Sequence, residues 1–149
     1  HENLIFGYHH QEPYSKSSIL QEKEIMSFSK KVMEEYDVRP TSPNLITSNF
    51  SGGNQQKIIL SRELNENPKV LLIGQPTRGV DIGAIEFIHQ RLIDMRDKGA
   101  AILLVSVELE EVLSLSDRIV VMFDGNIVGE KINKDVTDRD LGLLMAGVA

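Results

Sequence analysis

The sequence predicts an α/β domain with a mostly parallel sheet, a small helical lobe ahead of it and a hairpin at its far end. Three observations carry that expectation. Short apolar runs of strand length at 69–73 and 101–105 alternate with longer segments whose apolar residues recur at three- and four-residue steps. Near the end, Asp124-Gly125-Asn126 separates two further apolar runs, a hairpin turn signal. Residues 14–66, by contrast, hold helical patterns broken by a loop.

The elements follow in order. Residues 1–20 are polar and turn-rich after the opening Leu4, Ile5 and Phe6. Ile25, Phe28, Val32 and Tyr36 line one face of an expected amphipathic helix over 21–37. Pro40, Pro43 and a run of Ser, Thr and Asn then make a loop. Ser51 is placed to cap a helix of strong formers over 55–65, which Asn67-Pro68 ends. After the strand at 69–73, closed by Gly74 and Pro76, Asp81 caps a long helix to about residue 98, with Ile85, Ile88, Leu92 and Met95 as its core stripe. Gly99 stops that helix, and the strand at 101–105 leads into a short helix over 108–113. Strands at 119–123 and 127–131 form the hairpin. Thr137, with Asp140 three residues on, opens a last helix to about residue 145.

Composition narrows the function classes. A chain of 149 residues fits one domain able to bury roughly two-thirds of its unfolded surface. Its formal charge of −6 argues against a surface built to neutralise many nucleic-acid phosphates, although a local basic patch remains open. Cysteine is absent, which rules out disulfides and thiolate metal sites within the chain. The apolar run at 100–105 is far short of the roughly 20 residues a spanning helix needs. No basic segment followed by an apolar run marks a signal peptide, so a role at a membrane is expected to come through a partner.

Two stretches carry the chemistry. In Phe50-Ser51-Gly52-Gly53-Asn54-Gln55-Gln56-Lys57, a glycine-rich turn opens directly into a helix. Unpaired backbone N–H groups at the positive end of the helix dipole, two glycines that admit a close approach and a hydroxyl donor together suit a phosphate. A capped helix with flexible glycines accounts for the same residues. In the second stretch, Val70 to Asp81, a buried strand ends where a nucleotide-hydrolysing site places a magnesium-ordering Asp and a water-polarising Glu, and Gly74 and Gln75 stand there instead. A plain strand with a polar turn is the alternative.

Their order and spacing resemble the ABC ATPases. Ser51-Gly52-Gly53-Asn54-Gln55-Gln56 looks like the signature motif in the variant used by carbohydrate-type importers. Leu71 to Pro76 is similar to the Walker B strand, and Arg78-Gly79-Val80-Asp81 to the D-loop. Leu104-Val105-Ser106-Val107-Glu108-Leu109 falls where the H-loop belongs, and Ser116-Asp117-Arg118-Ile119 resembles the strand start after it. The likeness covers nearly the whole chain, least specifically in residues 1–49. It points to the second nucleotide-binding domain of fused importer ATPases for simple sugars and nucleosides. The phrase from Gln75 to Ala84, the run Glu86-Phe87-Ile88-His89 and the ending Leu143-Leu144-Met145-Ala146-Gly147 look most like the nucleoside branch.

The resemblance implies a P-loop NTPase-like ABC ATPase fragment. Residues 14–66 would form the helical lobe with the signature, and 67–149 the core from Walker B onward. No Gly-x-x-x-x-Gly-Lys-Ser/Thr pattern occurs, so the Walker A portion is expected to lie upstream. Gly74 cannot order a magnesium ion's water shell, Gln75 cannot accept a proton from water, and Val107 offers a γ-phosphate no hydrogen bond. No catalytic residue and no metal ligand is therefore expected in this chain. Ser51, Gly52, Gly53, Asn54, Gln55 and Asp81 are expected to serve ATP held by the first nucleotide-binding domain of the same polypeptide.

ATP and Mg²⁺ would act in the parent protein, with neither tightly bound here. Transmembrane permease subunits would hold the assembly at the cytoplasmic face of the membrane, nucleic acid would play no part, and the isolated chain would self-associate through bare sheet edges. A non-catalytic dimerisation or regulatory module on the same fold is the rival reading. Chromosome-associated ATPases with a similar signature are disfavoured by the acidic charge and the lack of heptads. Among other residues, His9-His10 read as solvated rather than metal-binding, and His89 as a packed or surface residue rather than a base. Glu108, Glu110 and Glu111 read as a solvated helix face, against a metal site or a partner patch. Phe28 and Met33 belong to the lobe that in this family couples to membrane subunits, or simply pack there.

Overall fold

The computed structural model describes residues 1–134 and 136–148. The chain divides into two compact units. The first comprises residues 1–71 and 76–101, the second residues 72–75 and 102–149.

The first unit begins with a short helix, α1 (Glu2–Ile5), and a small antiparallel hairpin of β1 (Ser15–Lys16) and β2 (Ile19–Leu20). Neither was legible in the polar opening segment, because each is too short to display a period. Helix α2 (Glu22–Glu35) buries Ile25, Val32 and Met33, and Tyr36 just beyond its end. Phe28 lies at the edge of that face, where its ring meets Tyr14 at 5.0 Å between centroids. A 3-10 turn over Thr47–Asn49 leads into α3 (Gly52–Asn65), which starts three residues earlier than the residue propensities suggest. The capped start explains the difference: once Ser51 satisfies an N–H group, two glycines cost little in the first turn. Helix α1 packs on α2 and α3, and α3 packs on α4 (Ile82–Asp97).

Helix α4 buries Ala84, Ile88, Leu92 and Met95, so the inward stripe is set by Ala84 and Ile85 lies half-buried on its flank. Asp81 caps the start of α4, its Oδ1 accepting the Ala84 N–H at 2.9 Å. Gly99, at φ +95°, ends it. Its N–H donates to Arg96 O at 2.8 Å and that of Ala100 to Met95 O at 3.1 Å, the paired bonds of a Schellman stop.

Strands β3 (Val70–Gly74) and β4 (Ala101–Val105) pair through a crossover that contains α4. Bonds join Ala101 to Lys69 near the start of both strands and Gln75 to Val105 at the end of both, the order of a parallel pair. In the second unit, α5 (Leu109–Leu115) precedes an antiparallel hairpin of β5 (Arg118–Phe123) and β6 (Asn126–Ile132). Its turn holds Asp124 and Gly125 at positive φ, as the sequence suggests. The core of this unit is Ile119 and Val121 of β5 with Leu141 of α6 (Asp138–Met145). Asn133 Nδ2 donates to Leu113 O at 2.6 Å and Ser116 O at 2.7 Å, closing the carbonyl end of α5.

Thr137 and Asp140 form a complete capping box at α6. Hydrogen bonds from the Thr137 hydroxyl, and then from its backbone N–H, hold the Asp140 carboxyl below its ordinary pKa. A depressed carboxyl pKa means the box contributes fully above the ordinary carboxylate pKa and is lost as pH falls through the lowered one. Thr137→Ala should return the Asp140 titration, followed by NMR, toward the ordinary value. In the first unit, Ile88 is 0% exposed and Ile82 is 76% exposed. Ile88→Ala should therefore cost about 2–5 kcal/mol in urea unfolding, whereas Ile82→Ala should stay within about 0.5 kcal/mol.

Candidate functional site

Ser51 has extended backbone angles, φ −61° and ψ 158°, and its hydroxyl oxygen caps α3. That oxygen accepts the Asn54 backbone N–H at 3.4 Å and Asn54 Nδ2 at 2.9 Å. Ser51 and Gly52 are exposed, while Gly53 is buried. As the first residues of a helix, Gly52 and Gly53 have no carbonyl four residues back within it, so their N–H groups lack an intrahelical partner. Gln55 is turned away from this mouth, its Nε2 donating to Phe50 O at 2.8 Å.

The glycines are required by a neighbour. A Cβ on Gly53 would lie 3.0 Å from Ala84 Cβ and 3.2 Å from Asp81 Oδ2, and one on Gly52 would lie 3.2 Å from Gly79 O. The turn at 78–81 thus lies directly against the start of α3, and the Asp81 carboxylate stands between two helix N-termini. Gly79, at φ +72°, provides the left-handed step that aims its carbonyl at Gly52. The structure therefore brings together, within the first unit, Ser51, Gly52, Gly53, Asn54 and Asp81.

Behind this mouth lies a set of contacts that sequence reasoning missed. Arg39 N donates to Asn54 Oδ1 at 2.7 Å. Arg39 Nε donates to Asp37 Oδ1 at 2.7 Å, and Lys57 Nζ to Asp37 O at 3.1 Å and Asp37 Oδ2 at 3.3 Å. These bonds, from Arg39 first and Lys57 second, hold the Asp37 carboxyl below its ordinary pKa. Lys57 also sits 4.7 Å over the Phe87 ring, and Arg91 lies 4.7 Å from the Tyr36 ring. Only the helix-breaking Pro40 signals that residues 37–39 form a loop; a bond across 15 residues leaves no trace in spacing.

The positions resembling a hydrolytic centre fall in the second unit. Gly74 is exposed at the end of β3, and a Cβ there would touch nothing within 4 Å. Gln75 follows at φ +51°, a left-handed conformation costly for a side-chain-bearing residue, with its N–H on Val105 O at 2.8 Å. Val107 is 62% exposed and offers no polar atom from its side chain. This donor set does not fit a magnesium ion, and among the described residues no group of three or more His, Cys, Asp or Glu is placed to hold a metal. The start of α3, by contrast, fits an anion: a hydroxyl, two glycine N–H groups and a dipole end.

The remaining candidates have surroundings of their own. His9 and His10 are exposed and stack edge to face at 5.6 Å. His89 is half-buried on α4. Glu108 and Glu110 are exposed, but Glu111 is buried at 3% exposure, so the three do not form one solvated face. No helix among the described residues is long and apolar enough to cross a membrane.

No protein-family model matches the chain. It is 46% identical over 146 residues to a guanosine import ATP-binding protein of Bacillus subtilis, covering 98% of this chain and 29% of that relative. Against a nucleoside import ATP-binding protein of Lactococcus lactis the identity is 47% over 146 residues, with the shares again 98% and 29%. A ribose import ATP-binding protein of Streptococcus agalactiae is 38% identical over 134 residues, 90% of this chain and 27% of the relative. The chain thus spans less than a third of the length of these curated relatives. Among solved structures, an ATP-binding subunit of an ABC transporter superposes with a TM-score of 0.72 at 19% identity, over 97% of this chain and 61% of that one. A nucleotide-free ATP-binding cassette from an ABC transporter gives a TM-score of 0.69 at 25% identity, over 97% and 58%. Nearly the whole chain is thus homologous to the ATP-binding proteins of ABC transporters, and it carries the mixed α/β fold of their P-loop NTPase-like cassettes.

Proposed function

We propose that this chain is part of the second, hydrolytically degenerate nucleotide-binding domain of a fused importer ATPase. Residues 14–66 are its signature-bearing lobe and 67–149 its core from Walker B onward. The observation that carries the reading is the exposed, capped start of α3, with Ser51 and Gly52 open to solvent and Asp81 set against Gly53. Ser51, Gly52 and Gly53 donate to the phosphates of ATP held by the first nucleotide-binding domain of the same polypeptide, and Asp81 lines the same junction. ATP supplies the energy of closure, and Mg²⁺ is held with it on the partner domain. Asn54 borders the contact, and Gln55 serves it from behind, with its amide held on Phe50 O.

Gly74, Gln75 and Val107 explain why hydrolysis is assigned to the partner's site. An Asp-to-Gly change removes the ligand that orients the ion's water, an amide in place of Glu removes the base, and valine in place of His removes a phosphate donor. The assembly meets transmembrane permease subunits at the cytoplasmic face of the membrane and moves a nucleoside or simple sugar inward. The names of the relatives, for guanosine, nucleosides and ribose, support that solute range. The three altered positions also favour a second reading, a non-catalytic dimerisation or regulatory module.

Substitution in the full-length protein separates the two readings. Ser51→Ala should lower ATP-driven transport at least about tenfold, the scale of a lost hydrogen bond to a charged group, while Gln75→Ala should leave it within about twofold. Unchanged transport by the Ser51 variant would favour the regulatory module, and a loss with Gln75→Ala would show that the altered centre still performs chemistry.

Leu72 and Leu103, in β3 and β4, are 72% and 61% exposed. Such bare apolar strand positions seek cover. The 149-residue chain by itself should therefore self-associate, with weight-average mass rising with concentration in sedimentation equilibrium. A strictly monomeric profile would count against this part of the reading.

A further inference from the structure

We infer that Asn54 is a positioning residue, whose side-chain amide fixes the Ser51 hydroxyl as an outward donor to a phosphate oxygen. The inference rests on the proposed role of Ser51 and assigns Asn54 a task other than touching the nucleotide. Arg39 N–H can only donate, so the Asn54 atom that meets it at 2.7 Å must be the carbonyl oxygen. That settles the orientation of the amide, and its NH₂ group then faces Ser51 Oγ at 2.9 Å. A serine hydroxyl has two lone pairs and one proton. Asn54 Nδ2 and the Asn54 backbone N–H, at 3.4 Å, occupy the two lone pairs. The proton is the only hydrogen-bonding capacity Ser51 has left, and Ser51 is exposed. A phosphate oxygen accepts and cannot donate, so a hydroxyl locked in the donor sense matches it without reorientation.

The lock extends backward into the fold. Arg39 and Lys57 both hold Asp37, which has φ +48°, so the short loop that presents the Arg39 N–H is tied to α3 from two sides. Both ends of the Asn54 amide are thereby occupied by this chain's own groups.

The test is a double-mutant cycle in the full-length protein with its membrane partners, reading the ATP concentration dependence of transport. In Asn54→Asp, one carboxylate oxygen still accepts Arg39 N–H. The other cannot donate to Ser51 and draws its proton inward. The half-saturating ATP concentration should rise about tenfold with Ser51 present and less than about twofold in the Ser51→Ala background. An equal rise in both backgrounds would overturn the inference, because it would mean that Asn54 acts on the nucleotide directly or through its added charge. No rise in either background would overturn it as well. Asn54→Ala, run through the same cycle, serves if the Asp variant does not fold and should show a smaller rise with the same dependence on Ser51. If Ser51→Ala alone leaves transport and its ATP dependence unchanged, the proposed function itself fails; if Ser51→Ala matters and Asn54→Asp does not, only the positioning role fails.

Discussion

The close contact between the start of α3 and the turn at 78–81 governs the rest of the first unit's geometry. At Gly53, Ala84 and Asp81 approach so closely that an added Cβ would push them aside by a few tenths of an ångström. Two helix N-termini converge there, and such convergence of positive dipole ends is unfavourable unless a negative group stands between them. Asp81 is that group: one oxygen caps α4 and the other lies beside the first turn of α3. The exposed N–H groups at Gly52 and the Ser51 hydroxyl inherit a fixed aim from this packing. In the proposed reading, that aim is what a neighbouring domain's ATP meets.

The two stretches on which the proposed function rests are built in opposite ways. Around Ser51 nearly every polar atom has a defined partner: the amide of Asn54 at both ends, the amide of Gln55 on Phe50 O, and the carboxylate of Asp37 between Arg39 and Lys57. Such saturation narrows the side chains to one arrangement and removes the entropy cost of ordering them later. At 74, 75 and 107 the side chains offer a hydrogen atom, a neutral amide and an isopropyl group. The want of an acid or base there, beside an ordered donor set at Ser51, is the chemical ground on which the proposed reading assigns hydrolysis to a partner domain.

Much of the fold was legible because its signals are local. Asp81 and Thr137 announce helix starts through capping chemistry, Gly99 a helix stop, and Asp124-Gly125 a turn, and each is found in that role. The strand at Ala101–Val105 was bounded correctly because Gly99 stands two residues before it and the polar Ser106 follows. What escaped depends on distant partners. The hairpin at residues 15–20 is too short to show alternation, and Ile85 yields its place in the core to Ala84 because α3 approaches too closely for a larger residue. Burial of Glu111 was likewise hidden, since a carboxylate beside the apolar Leu109, Val112 and Leu113 of a two-turn helix reads as its solvated side. For the candidate site, the glycine-rich turn and Asp81 could be named from spacing, but the bond from Arg39 to Asn54 could not.

The most direct measurement is a high-resolution structure of the full-length protein trapped with a non-hydrolysable ATP analogue. The expected result places a γ-phosphate oxygen of the partner-held nucleotide within hydrogen-bond distance of Ser51 Oγ and the glycine N–H groups, with the Asn54 amide still facing Arg39. Nucleotide bound with its phosphates away from α3, or a Ser51 hydroxyl pointing inward in the closed assembly, would contradict it.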